Sequence, residues 1–225
     1  HEIRDRHPGL LDKVSVFTAA SETFSQKNTN ASIEETIKRF RPVIESAKSV
    51  GLRTRGYISC AVACPFEGEI APDRVSAVCA QLLEIGIDEL DLGDTIGAGT
   101  PETVAAVLLA AMETLDGQPT NDFGEPTLTL HLHDTFGRAS ECARMALELG
   151  LRSFDSSAAG LGGCPYASVD GQRAPGNIAT ATLLGVIEET GMETGVNRAK
   201  FAHASAYAER VVQAARMRAA GGGGS

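Results

Sequence analysis

Apolar and polar residues alternate along this chain in two rhythms. Short apolar or β-branched runs at 14–17, 53–60, 89–92, 127–133 and 152–156 are each followed by a loop and a stretch of helical period. Five such strand-then-helix units predict an α/β fold around a parallel sheet. The helix starts carry capping chemistry. Ser32-Ile33-Glu34-Glu35 reads as a capping box, Thr100-Pro101 sets an N-cap before a proline at the first helical position, and Pro72 does the same for the helix between. Val75, Val78, Leu82 and Leu83, and later Ala143, Met145, Ala146, Leu147 and Leu149, supply inward faces.

The segments just past the predicted strands are rich in Gly, Ser, Thr, Asp and Cys, whereas those before them are plain. In β/α barrels and open α/β sheets, chemistry gathers at the carboxyl ends of the strands, so these segments hold the candidate site. Two stretches fall outside the repeat. Residues 114–126 read as an exposed connection, and 219–225, ending in Gly-Gly-Gly-Gly-Ser, as a flexible tail behind a catalytic domain spanning 1–218.

Composition narrows the function. With 225 residues and a formal charge of −9, the chain can bury one large core but offers no basic face for a nucleic-acid backbone. No apolar run approaches the roughly 20 residues of a membrane-spanning helix. The five cysteines, at 60, 64, 79, 142 and 164, match neither a disulfide framework nor a paired zinc spacing, and Cys60 and Cys64 read as plain thiols in a reducing compartment.

Four segments could carry chemistry. In Leu130-His131-Leu132-His133-Asp134-Thr135 an apolar strand ends in two histidines one residue apart, so both imidazoles leave the same face as neighbouring nitrogen ligands. Asp134 points to the other face and either orients a neighbour or caps the next helix. In Asp91-Leu92-Gly93-Asp94-Thr95-Ile96-Gly97 a carboxylate emerges at a strand end, and Asp94 is either a general acid or base, a substrate orienter, or an ordinary turn former. The glycine-rich stretch 159–167 holds Cys164 as a proton donor or nucleophile, or as an inert thiol; no Lys-Ser/Thr follows, which excludes a P-loop. Asn177, after Pro175-Gly176, is either an N-cap or an oxygen donor that completes a metal shell with the histidines.

Together these segments resemble the 3-hydroxy-3-methylglutaryl-CoA (HMG-CoA) lyase family, in unbroken order over residues 14–197. The likeness is carried by Ala19-Ala20-Ser21-Glu22, Arg55-Gly56-Tyr57-Ile58-Ser59-Cys60, Cys64-Pro65-Phe66-Glu67-Gly68, Leu92-Gly93-Asp94-Thr95-Ile96-Gly97, the His-Leu-His-Asp-Thr segment, the Gly-Leu-Gly-Gly-Cys-Pro-Tyr-Ala loop at 160–167 and Gly195-Val196-Asn197. The resemblance implies a TIM (β/α)8 barrel of which this chain holds about five of the eight units. It implies that His131, His133 and Asn177 bind Mg²⁺ or Mn²⁺, that Cys164 lies on the active-site loop, and that Asp94 belongs to the catalytic centre. The implied reaction is cleavage of the C2–C3 bond of HMG-CoA, a step of leucine degradation and ketone-body formation. A base removes the C3 hydroxyl proton, acetoacetate leaves, and the enolate of acetyl-CoA is protonated. Cys164 is the expected participant in that protonation, with His131 assisting proton transfer.

An acyl-CoA thioester is the implied partner, a homodimer the implied assembly, and the cytoplasm of a bacterium or the mitochondrial matrix of a eukaryote the implied compartment. Three departures qualify the resemblance. The family's first strand, with its Arg-Asp pair, has no counterpart, and a barrel lacking strands exposes unpaired edges, so a truncated form is expected. The link 168–175 is longer than the family's, and Ala181 stands where many members carry glutamate. The competing readings are an acetyl-CoA condensing enzyme or aldolase of the same barrel superfamily, such as isopropylmalate or homocitrate synthase, and a catalytically silent truncated homologue. The Gly-Gly-Cys-Pro-Tyr loop favours the lyase.

Overall fold

A computed structural model describes residues 9–116, 127–162 and 176–221, together with Arg6, Thr120, Gly124, 168–169 and 172–173. In chain order the elements are β1 (Lys13–Ala19), α1 (Glu22–Thr29), α2 (Ile33–Ser49), β2 (Arg53–Ser59), β3 (Ala63–Cys64), β4 (Gly68–Glu69), α3 (Pro72–Glu84), β5 (Glu89–Asp94), α4 (Pro101–Thr114), β6 (Leu128–Leu132), α5 (Ala139–Glu148), β7 (Phe154–Asp155), β8 (Ser168–Val169), β9 (Gln172–Arg173), α6 (Thr180–Glu189) and α7 (Arg198–Gly221). The five predicted strands are the five strands of the main sheet. The last helix runs to Gly221, into the stretch read as tail.

The main sheet has the order β1-β2-β5-β6-β7 with every pairing parallel. Sequential parallel strands joined by helices are the repeat of a TIM barrel, because right-handed crossovers lay each helix on the same face. The fold is thus TIM-barrel-like, and β1 and β7 remain outer strands, so the barrel is not closed among the described residues. The capping box at Ser32 and Glu35 and the Thr100 cap both form as the sequence predicts.

The helix-facing side of the sheet is apolar. Ile58, Leu90, Leu92, Leu130 and Leu132 are all 2% exposed or less, and Val75, Val78, Leu82, Val104 and Leu108 meet them from α3 and α4. Gly56 permits one close approach: a Cβ there would stand 3.0 Å from Leu82 Cδ1, so glycine lets α3 sit directly on β2. Because strand side chains alternate, the residues between these apolar ones face the other way. That second face carries Lys13, Arg55, Tyr57, Glu89, Asp91, Thr129 and His131, and it is where the chemistry lies.

Candidate active site and metal centre

Parallel pairing sets the polar face in rows. The register puts Arg55 opposite Glu89, Tyr57 opposite Asp91, Asp91 opposite Thr129, and His131 opposite both Gly93 and Asp155. His131 and His133 leave the same side of the chain at the end of β6, as expected, with ring centroids 5.3 Å apart. Beyond β7 the chain returns through 176–179, where Ile178 donates to the Leu132 carbonyl and His133 and Asn177 form a bridge. That return brings Asn177 Oδ1 to 2.8 Å from His131 Nε2. Asn177 lies ahead of Ala179, the N-cap of α6, so the capping role that its sequence setting allowed is not taken up.

The amide of Asn177 is held in one orientation. Its Nδ2 donates to the Leu161 carbonyl at 2.7 Å, which turns Oδ1 toward His131. Gly162, with φ +96°, makes room for this contact, since a Cβ there would fall 2.6 Å from Asn177 Nδ2. The loop before Cys164 therefore packs on Asn177. Cys164 itself, with the rest of the Gly-Gly-Cys-Pro-Tyr segment, lies outside the described residues.

These donors fit a cation. Two ligands bound at about 2.1 Å and at right angles stand about 3.0 Å apart, close to the separation of His131 Nε2 and Asn177 Oδ1. The Nδ1 atoms of both histidines and Oδ1 of Asp91 are buried without a hydrogen-bond partner among the described residues. Burial, and then the neighbouring His131, pull the His133 pKa down to about 4, so its ring is neutral and able to ligate at neutral pH. A second group of donors lies on the other side of His131: one atom each from Asp91, His131 and Asp155, all within 4.8 Å of one another. These three are close enough to hold a metal, but a guanidinium already lies among them. Arg55 Nη1 is 3.2 Å from Asp91 Oδ2 and 3.0 Å from Asp155 Oδ1, while Nη2 is 2.5 Å from Glu89 Oε1.

Charge in this cluster is tightly accounted for. Lys13 meets Glu89 at 2.5 Å, so two cations face the three carboxylates of Glu89, Asp91 and Asp155. Burial and the proximity of Asp155 push the Asp91 pKa up to about 9, against the pull of Arg55. Asp155 moves the opposite way: burial opposes its charge, but His131 and Arg55 outweigh burial and hold it well below the carboxylate range. At neutral pH Asp91 is therefore the protonated partner, and the charges balance. Glu89 is also lowered, with Lys13, Thr129 and Arg55 overcoming its burial.

Asp94 is placed apart from these groups. It is three positions from Asp91 and points to the helix side of β5, where it accepts from Ala98 N at 3.1 Å and Gly99 N at 2.9 Å. Burial raises its pKa to about 6 against those hydrogen bonds. The carbonyl of the next residue, Thr95, meets the His133 ring. Asp134 caps α5 through Ala139 N, as one of its two sequence readings had it. Cys60 and Cys64 are buried thiols.

Reading the sequence singled out neither Asp155, nor Asp91 as the acid facing His131, nor Arg55 as their counter-ion. The signal was present as polar residues at alternate strand positions, Arg55 and Tyr57, Glu89 and Asp91, Thr129 and His131, where a helix-covered strand would be apolar throughout.

Comparison with known proteins gives the chain its relatives. The HMGL-like family profile matches residues 9–207. The mitochondrial hydroxymethylglutaryl-CoA lyase of Pongo abelii is 44% identical over 195 residues, which is 87% of this chain and 56% of that protein. The cytoplasmic 3-hydroxy-3-methylglutaryl-CoA lyase of Danio rerio is 43% identical over 196 residues, 87% of this chain and 55% of that protein. The crystal structure of the HMG-CoA lyase from Brucella melitensis matches with a TM-score of 0.81 at 42% identity, covering 90% of this chain and 67% of that one. This chain thus spans just over half the length of the curated relatives it matches. A profile that runs through nearly all of the strand and helix repeat, joined to agreement in both sequence and structure with these lyases, places the chain in the HMGL-like family.

Proposed function

We propose that the protein to which this chain corresponds is a hydroxymethylglutaryl-CoA lyase, cleaving HMG-CoA to acetyl-CoA and acetoacetate with a divalent cation, Mg²⁺ or Mn²⁺. The observation that carries the proposal is the convergence of His131 Nε2 and Asn177 Oδ1 at 2.8 Å, beside the neutral His133 ring, at the carboxyl end of a barrel-like sheet. His131, His133 and Asn177 would hold the cation. Bound there, a hard divalent ion supplies Lewis acidity to substrate oxygens and stabilises the oxyanion of a carbon–carbon cleavage.

The remaining work falls to the chain's own residues. Asn177 orients its oxygen through Leu161, and Asp94 holds the turn through Ala98 and Gly99 that follows Thr95, whose carbonyl meets His133. Asp94 serves the catalytic centre through that turn. His131 would serve the loss of the C3 hydroxyl proton as a ligand of the cation, and Cys164 on the loop after β7 protonates the departing enolate. An acyl-CoA thioester is the substrate class, because the thioester stabilises that enolate, and a homodimer is the proposed assembly.

The test is product analysis. Incubation with HMG-CoA and Mn²⁺ is expected to release acetoacetate, and His131→Ala to abolish the release. Consumption of acetyl-CoA with a 2-oxo acid, and no acetoacetate from HMG-CoA, would instead identify a condensing enzyme. Failure to bind Mn²⁺ at all would identify a silent homologue.

A further inference from the structure

We infer that Asp155 is a positioning residue that accepts from the Nδ1–H of His131 and so directs the Nε2 lone pair at the cation. The inference rests on the reading of His131 as a metal ligand. Its basis is the arrangement of acceptors around one ring. On one side Asn177 Oδ1 stands 2.8 Å from Nε2, and its identity as an oxygen is fixed by the donation of Nδ2 to Leu161. On the other, Asp155 Oδ2 stands 3.5 Å from Nδ1, an atom buried without a hydrogen-bond partner among the described residues. Acceptors thus flank both nitrogens of this ring, and a ring that ligates a cation through one nitrogen has one N–H left to give.

A cation on the Nε2 and Oδ1 side fits this arrangement. The ring then ligates through Nε2, and its single proton resides on Nδ1, facing the Asp155 carboxylate. Metal-bound histidines commonly donate their second nitrogen in this way, which fixes tautomer and ring angle together.

Asp155 is itself held in place. Arg55 Nη1 lies 3.0 Å from its Oδ1 and 3.2 Å from its Oδ2, and the Tyr57 hydroxyl donates to Oδ2 at 3.3 Å. The register of β6 on β7 sets His131 directly beside Asp155, so the contact is built into the sheet. A cation on the Nδ1 side would instead compete with Arg55 Nη1, which already sits between Asp91 and Asp155.

The test is Mn²⁺ titration of the intact chain by electron paramagnetic resonance, with ¹⁵N NMR of the imidazoles in the Mg²⁺-loaded form. Asp155→Asn keeps the side chain's size and removes its charge. It is expected to weaken Mn²⁺ binding about 10- to 100-fold while the melting curve stays cooperative, and to reduce the Nδ1–H population of His131. Asn177→Ala and His131→Ala are expected to lose binding altogether. Wild-type affinity and an unchanged tautomer in Asp155→Asn would overturn the inference and leave the metal reading intact. Loss of binding in Asp155→Ala with Asn177→Ala unaffected would overturn it by placing the cation among Asp91, His131 and Asp155. A wild-type chain that binds no Mn²⁺ would defeat the metal reading itself, and the inference with it.

Discussion

The two faces of the five-stranded sheet are built from the same strands but obey different rules. On the helix side, Ile58, Leu90, Leu92, Leu130 and Leu132 are interchangeable in kind: each removes apolar surface from water and packs against whatever helix lies above it. On the other side no residue is interchangeable. Arg55 serves Glu89, Asp91 and Asp155 together, Asp155 also faces His131, and His131 meets Asn177. Stability on the first face is a sum over many contacts, whereas the second is a closed account of charge in which one missing partner strands the others.

Breaking that account should have the largest effect. Arg55→Met removes the guanidinium from three carboxylates, two of which are buried, and should lower stability by about 3 to 5 kcal/mol in chemical denaturation. On the apolar face, Leu90→Ala leaves a cavity beneath the helices and should cost about 2 to 5 kcal/mol. The two losses should differ in character: high salt should change the Arg55→Met deficit and leave that of Leu90→Ala unchanged.

A pH comparison sharpens the contrast. Because the folded pKa of Asp91 is raised to about 9, the folded chain holds a proton that the unfolded chain releases near the ordinary value of 3.8. The stability Asp91 contributes is thus fully present below 3.8 and is lost as pH rises toward 9. His133, lowered to about 4 from 6.5, acts in the opposite direction between those values and is silent from pH 7 to 9. The buried thiols of Cys79 and Cys142, raised from 9.0 to about 12, act with Asp91 near the top of that window and cancel in a comparison with Asp91→Asn. There the wild type should lose stability on the order of 1 kcal/mol per pH unit relative to Asp91→Asn, read from paired thermal melts. A constant difference between the two across that window would show that Asp91 is ionised in the folded chain. The smallest effect should come from a site on neither face: Ser32→Ala opens the capping box of α2 and should cost about 1 kcal/mol without altering Mn²⁺ binding.

Much of this was legible in the sequence where the cause is local. The β/α repeat, the Ser32 and Thr100 caps and the shared face of His131 and His133 follow from side-chain period and backbone hydrogen bonding within a few residues. Asp94 was named from its strand-end setting as a general acid or base, a substrate orienter or a turn former, and which way it faces was not read from the sequence. Three positions from Asp91, its carboxylate accepts from Ala98 N and Gly99 N in the turn after β5. Asn177 was named from the sequence as either an N-cap or an oxygen donor beside the histidines, but its contact with His131 depends on the chain after β7 folding back along β6, and the nearest helix begins three residues later.

The sequence by itself determined the family, the strand and helix order and the identity of the histidine pair, since periodicity, caps and motif residues act over short stretches of chain. Only the tertiary structure decided that Arg55, Asp91 and Asp155 converge on His131. Arg55 and Asp155 are 100 positions apart, and what unites them is the register of parallel strands, fixed by how the helices pack the opposite face. The apolar face thus sets the alignment, and the polar face inherits its geometry from it.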